Sequence, residues 1–339
     1  MTRYVLIGAG AIGAPVAASL HEAGSEVVLV ARGAHAAAIR DNGLTYVRPD
    51  GERQVRLPVA ESAAELELRT GDVLIVATKT QATEAVLQEW AWRPVTGGTT
   101  AAETLPLISL QNGLENERAA LRRFARVSGA SVWMPSSYLR PGEVVAPGEP
   151  QVGSFWLGRF PGGLDPDSEL WAEDLRRANF VIRLVEDLPR WKAGKLLANL
   201  GNAADALFPR HERAEELNRA VRAEARAVLT AAGIDPADPK SDPAVDLDAY
   251  GLAPALLDRY GGSSTRQSLS RASGDTEADF LNGEIVLLGR LHGVPTPLNA
   301  AVQAAVASAA RDGLPPGGAP KTLIDDVLRA AAKQGAPTG

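Results

Sequence analysis

The chain has 339 residues, enough for two domains with separate cores, and its 45% hydrophobic and 22% charged residues predict a globular protein. A net charge of −6 argues against a nucleic-acid footprint, and the lack of cysteine excludes disulfides, thiolate metal sites and cysteine nucleophiles. No apolar run approaches the ~20 residues of a membrane span and the first strand starts at once, so neither membrane anchor nor signal peptide is expected and the location is expected to be cytoplasmic.

The first predicted strand, 3–8, leads into Gly8-Ala9-Gly10-Ala11-Ile12-Gly13 and a helix over 12–23. In a strand–turn–helix context these glycines have separate roles. Gly8 makes the tight turn, Gly10 lets backbone approach a pyrophosphate, and Gly13 lets helix pack on strand. The N–H groups and positive dipole end of the helix then hold the phosphates. A second strand at 26–31 completes the expected dinucleotide unit. It ends in Ala31-Arg32-Gly33, with no acid to accept from a ribose hydroxyl. Arg32 offers a planar fork of donors suited to a 2′-phosphate, which favours NADP(H) over NAD(H).

Further strands are predicted at 44–48, 54–59, 73–78, 106–110 and 126–132, with helices at 33–42, 80–90 and 114–124. Alternation of this kind predicts an α/β, doubly wound, mainly parallel sheet with helices on both faces. The stretch from Trp90 to Leu105 lacks periodicity and reads as a surface insertion. The strand at 73–78 ends in Lys79, which either supplies a second cation to the adenosine phosphate or simply opens the next helix. Gln111-Asn112-Gly113 follows the 106–110 strand, so Asn112 faces the nicotinamide ribose or the substrate, or else forms an ordinary Asn-Gly turn. Two short β segments (143–146, 151–157), a helix at 167–178 and a strand at 181–185 close the sheet domain, giving a boundary at 187.

Beyond it the pattern is helical: 189–207, 212–232, 248–259, 275–292, 297–312 and 320–333, with a disordered tail at 334–339. Residues 188–333 thus form a helical substrate or dimerisation domain, and the site is expected in the cleft between the two domains. In 189–207, Lys192, Lys195, Asn199 and Asn202 share one helix stripe at about 100° per residue, while Leu196, Leu197 and Leu200 lie away from it. Solvated faces elsewhere in the chain carry Glu and Arg, so two lysines with two amides point to an inward polar face. His21, His35, His211 and His292 have no ligand spacing and read as surface or capping residues, and no metal site is expected.

Taken together, the glycine loop with Ala31-Arg32-Gly33, Thr78-Lys79-Thr80-Gln81, Gln111-Asn112-Gly113, the Trp191…Lys195…Asn199 helix and the late block Ser263-Ser264-Thr265-Arg266-Gln267 … Thr276-Glu277 … His292-Gly293-Val294-Pro295 resemble the ketopantoate reductase family, in order over residues 3 to 310. The resemblance implies NADPH-dependent reduction of a 2-keto acid on a Rossmann domain followed by a helical domain. It implies Lys195 as the catalytic acid, Asn199 and Ser264 as substrate ligands, and Asn112 and Glu277 at the nicotinamide end. It allows a homodimer. Three positions depart from the family pattern. Ala203 stands where a second helix amide is usual, with Asn202 one residue early as its substitute. Ser268 replaces an Asp, and Arg213 falls near a usual Asn. These departures cluster where substrate is read, so weak turnover of ketopantoate beside turnover of another keto substrate is expected. Two other readings are an opine-type or 3-hydroxyacid dehydrogenase, disfavoured by the lack of a well-placed histidine, and a non-catalytic NADPH sensor, disfavoured by the substrate-side stripe.

Overall fold

The structure, a computed structural model, describes residues 2–209, 212–242, 245, 251–272 and 274–333. The tail 334–339, His211 and the start of the helix expected at 248–259 lie outside the described residues.

In chain order the first unit contains β1 (Arg3–Ile7), α1 (Gly13–Glu22), β2 (Glu26–Val30), α2 (Gly33–Asn42), β3 (Leu44–Arg48), β4 (Gly51–Val55), β5 (Val59–Ala60), β6 (Leu68–Arg69) and β7 (Asp72–Val76). Next along the chain are α3 (Thr83–Ala91), β8 (Val95–Thr96), α4 (Ala101–Thr104), β9 (Leu107–Ser109), α5 (Asn116–Leu121), β10 (Val127–Trp133), β11 (Glu143–Val145), β12 (Gly148–Glu149), β13 (Gly153–Arg159), α6 (Ser168–Arg177) and β14 (Phe180–Leu184). The central sheet has the order β14-β13-β10-β9-β7-β1-β2-β5 and is parallel except where β13 meets β10. Its strands are buried on both faces, as near-continuous apolar runs require. Tyr4, Leu6, Val27 and Leu29 pack with Val16 and Leu20 of α1 and Trp171 of α6. Val5, Ile7, Leu74 and Val76 pack on the other side with Val86 and Trp90 of α3 and Phe124.

The expected alternation is therefore present, with local differences. The 54–59 strand is two, because Pro58 has no N–H to continue a ladder: β4 pairs antiparallel with β3, and β5 joins β2. The stretch from Trp90 to Leu105 is not a surface insertion. Leu68 of β6 pairs with Val95 of β8, and Ala101, Ala102 and Leu105 are buried in the same core as Trp90.

The second unit contains most of α7 (Leu188–Asn199), then α8 (Asn202–Leu207), α9 (Glu212–Ala231), α10 (Ser264–Ser270), α11 (Asn282–His292), α12 (Pro297–Arg311) and α13 (Thr322–Lys333). On α9 the buried positions Leu217, Val221, Ala225 and Val228 recur at three- and four-residue spacing, the stripe of a helix packed on one side. The long helix expected over 189–207 is two helices. Around the break at Gly201, Arg222 donates to the carbonyl of Ala198 at 3.4 Å, and a Cβ on Gly201 would meet that guanidinium at 2.9 Å. A side chain capping a freed carbonyl is a recognised cause of a helix break.

The units are Met1–Trp191 with Asp238–Tyr260, and Lys192–Ala237 with Gly261–Gly339. This differs from a single cut at 187: Asp238–Tyr260, expected in the helical domain, groups with the sheet unit. β15 (Gly251–Leu252) pairs with β12, Trp156 donates to Asp242 at 2.8 Å, and Arg259 bridges Glu52 and Glu143. Residues 254–259 form 3₁₀ turns rather than the expected α-helix, and Pro254 stands at their start.

Candidate functional site

Within the first unit, the residues predicted to hold a dinucleotide follow neighbouring strands at the carboxyl edge of the sheet. β1 lies between β2 and β7, which leave it in opposite directions, so its carboxyl end is the topological switch point of a doubly wound sheet. Gly8–Gly13 follows β1 there, Arg32 follows β2, Lys79 follows β7 and Asn112 follows β9. Bonds just past the strand ends hold these turns side by side: Gly8 N–H to Val30 O at 3.0 Å, Ala77 N–H to Ile7 O at 2.9 Å and Leu110 N–H to Val76 O at 2.8 Å.

The glycine loop has the shape a pyrophosphate needs. Gly8 has φ +109°, and a Cβ there would lie 2.8 Å from Thr78. A Cβ on Gly13 would stand 1.9 Å from the Gly8 carbonyl oxygen, so α1 approaches its own turn more closely than any side chain permits. A Cβ on Gly10 would meet no protein atom within 4 Å, which leaves that face of the loop open. Together with the N–H groups of the first turn of α1, this geometry fits a dinucleotide phosphate.

Arg32 sits at the N-cap of α2 with its side chain two-thirds exposed, paired to Glu89 at 2.5 Å. An exposed pair of this kind contributes at most about 1 kcal/mol, so exchanging Glu89 for a phosphate dianion costs little. Arg32→Ala is expected to weaken NADPH binding by about 1–3 kcal/mol and to leave NADH binding nearly unchanged, measured by titration of both cofactors. Equal losses for the two would show that Arg32 does not read the phosphate.

Past the ends of β7 and β9 lies a polar lattice only partly anticipated. Gln111 is 5% exposed and donates to the Thr78 carbonyl at 3.0 Å and to Thr83 Oγ1 at 2.8 Å. Thr83 in turn donates to Asn116, and Asn116 Nδ2 donates to the Asn112 carbonyl at 2.7 Å. The Asn112-Gly113 turn, with Gly113 at φ +84°, is thereby fastened to the end of β7. Asn116 was missed; a lone amide opening a short helix gives no sequence signal until its partner on α3 is known.

In the second unit, Lys195 and Asn199 lie one turn apart on α7, Asn199 being 6% exposed and Lys195 part-buried. Burial lowers the Lys195 ammonium from the usual lysine range to about 8. Lys192, one turn earlier, is buried as well. Asn202 opens α8 and Ser264 opens α10, and Asn202 Nδ2 lies 3.4 Å from Ser264 Oγ, so the structure brings these two together. Ser263 caps α10 through Arg266 N–H, and its own N–H donates to Asp205 at 3.3 Å. Glu277 stands at the start of a 3₁₀ turn ahead of α11, 9% exposed.

That turn is anchored by residues the sequence did not announce. Asn282 donates to Asn299 at 3.0 Å, and the buried Glu224 accepts from the N–H groups of Leu298 and Asn299 at the start of α12. A carboxylate at a helix N-terminus is favoured by the dipole and by the orphan donors there. The departures are accounted for as well. Ser268 donates to the Ser264 carbonyl at 2.9 Å, Ala203 is buried, and Arg213 is held on the surface by Glu216 and Asp325. Among the described residues there is no cluster of three or more metal-ligating side chains, and no helix is long and apolar enough to cross a membrane.

Comparison with known proteins agrees with this arrangement. Residues 4–162 match the model of the ketopantoate reductase PanE/ApbA family, and residues 194–310 match its C-terminal model. A 2-dehydropantoate 2-reductase of Caulobacter vibrioides is 30% identical over 323 residues, covering 91% of this chain and all of that protein. One from Archaeoglobus fulgidus is 28% identical over 88% of this chain and 94% of its own. The crystal structure of a PanE/ApbA family ketopantoate reductase from Ralstonia eutropha superposes with a TM-score of 0.74 at 25% identity, over 92% of this chain and 99% of that one. On these matches the chain belongs to the ketopantoate reductase family of oxidoreductases.

Proposed function

We propose that the protein reduces a 2-keto acid to the 2-hydroxy acid with NADPH, and that Lys195 donates the proton. The observation that carries this reading is the part-buried Lys195, its pKa lowered to about 8, one helical turn from the buried amide of Asn199.

Gly8, Ala9, Gly10, Ala11, Ile12 and Gly13 would hold the pyrophosphate, Arg32 and Lys79 the adenosine phosphate, and Asn112 and Glu277 the nicotinamide end. When bound, NADPH supplies a hydride to the carbonyl carbon. Negative charge then builds on the carbonyl oxygen, and an ammonium beside it stabilises that charge and donates a proton. A lysine in water, near 10.4, is a weak acid at neutral pH; one at about 8 is matched better to the task. Asn199, Asn202, Ser264 and the Asn112 side chain orient the substrate through neutral hydrogen bonds, without adding a charge that would compete for it. Relatives named 2-dehydropantoate 2-reductase support the reaction class.

The test is loss of NADPH absorbance against a panel of 2-keto acids that includes ketopantoate. Turnover of a 2-keto acid is expected, with ketopantoate a weak member because Ala203, Ser268 and Arg213 do not present the family's substrate-side groups. Ketopantoate reduction at about 10⁴ M⁻¹s⁻¹ or better would overturn that substrate preference and leave the reaction class standing. NADPH binding with no turnover of any keto acid would favour a sensor instead.

A further inference from the structure

We propose that His35 is a positioning residue for the dinucleotide: its neutral ring clamps the carbonyl of Ala9 to the backbone N–H of Gly142 and so holds the glycine loop in its receiving shape. The proposal rests on the reading of Gly8–Gly13 as a dinucleotide site.

His35 lies in the first turn of α2, 7% exposed, and its ring reaches away from that helix in two directions. Nε2 is 2.8 Å from the oxygen of Ala9, inside the glycine loop, and Nδ1 is 2.8 Å from the nitrogen of Gly142. These partners determine the tautomer. A backbone N–H only donates, so Nδ1 carries no proton; a carbonyl only accepts, so Nε2 carries one. One ring therefore joins three segments, and the Ala9 peptide it grips sits between Gly8, which makes the tight turn, and Gly10, whose open face receives the pyrophosphate. Tyr138 lies against the ring, centroids 4.4 Å apart, and blocks it from turning away.

A clamp of this kind works only when neutral. A second proton would put N–H against N–H at Gly142, breaking the bridge. The charged groups nearest in the chain pair with one another: Arg32 with Glu89, Arg40 with Glu61, and Arg140 with Glu143. Burial holds the imidazole below its ordinary pKa, opposed only by the bond to Ala9. The clamp is consequently intact at neutral pH, and it is lost as pH falls through that lowered pKa.

The experiment measures NADPH dissociation constants by calorimetry across pH for the wild type, His35→Leu and His35→Gln, with kcat at saturating NADPH. His35→Leu removes both bonds and should raise the NADPH Kd about tenfold or more while kcat stays within about twofold. The Gln amide sits at the same bond count from Cα as Nε2 and keeps a donor for Ala9, so His35→Gln should recover most of the affinity. The wild-type Kd should rise on the acid side, and that rise should shrink in His35→Gln to the part due to protonation of the cofactor's own phosphate at about pH 6. A folded His35→Leu with wild-type Kd overturns the proposal, as does an unchanged acid rise in His35→Gln. The second comparison decides the matter if the leucine variant does not fold. If the wild type itself binds no NADPH, the dinucleotide reading has failed rather than the role of His35.

Discussion

Replacing Lys195 by alanine is expected to lower kcat for keto-acid reduction by about 10²–10⁴, with little change in NADPH affinity, because that is the usual worth of a positioned general acid. The corresponding barrier increase is about 3–5 kcal/mol. The pH profile provides an independent check. The acid is active while protonated, and its pKa is lowered to about 8, so kcat/KM for reduction should be flat below that pH and fall above it. Oxidation of the hydroxy acid needs the free amine and should rise over the same range. Lys195→Arg separates charge from proton transfer: the guanidinium keeps the positive charge but does not release its proton. Lys192→Ala should cost much less than Lys195→Ala, since only Lys195 has an amide one turn further on, at Asn199. If the two alanine effects are reversed, the role of acid belongs to Lys192. If neither matters while cofactor still binds, the reductase reading itself fails.

The second large effect is expected at the glycine turn, where two alanine substitutions should act through different terms. A methyl on Gly13 would have to occupy space 1.9 Å from the Gly8 oxygen and 3.0 Å from the Ala77 Cβ. Backbone must move, so Gly13→Ala should destabilise the protein by about 1–3 kcal/mol and distort the loop enough to weaken NADPH by tenfold or more. A methyl on Gly10 meets no protein atom, so Gly10→Ala should unfold at the wild-type denaturant midpoint and yet bind NADPH poorly, because the methyl fills space the pyrophosphate needs. Denaturation curves and cofactor titration on the same two variants separate the outcomes. Normal NADPH affinity in Gly10→Ala would place the phosphates elsewhere.

Much of the cofactor half was legible because local chemistry specifies it. A strand, three glycines at set spacing and a helix can bury the helix against the strand in very few ways, and the missing acid beside Arg32 is a local fact about charge. The buried strands announced themselves for the same reason: apolar runs such as Tyr4–Ile7 and Val73–Val76 have no other way to leave water. Where local signals are weak, sequence and structure differ. Trp90–Leu105 has too few residues per element to show a period, and only its burial against Phe124 and Val86 makes it core. His35 read as a surface or capping residue because sequence cannot show that the Ala9 carbonyl and the Gly142 N–H converge on one ring.

By itself, then, the order of residues determined the α/β class, the cofactor turn, the stripe joining Lys195 to Asn199 and the helical character of the chain's second half. These depend on periodicity and turn chemistry over a few neighbours. Tertiary structure alone decided which distant groups share a partner. Asp238–Tyr260 belongs with the sheet because Asp242 is met by Trp156 and Arg183. The helix after Asn199 breaks where Arg222 reaches Ala198, and Asn202 thus starts a new helix beside Ser264. The Lys195 ammonium is lowered to about 8 by burial, and burial is a property of the surroundings that the folded chain supplies, not of the lysine or its neighbours in sequence.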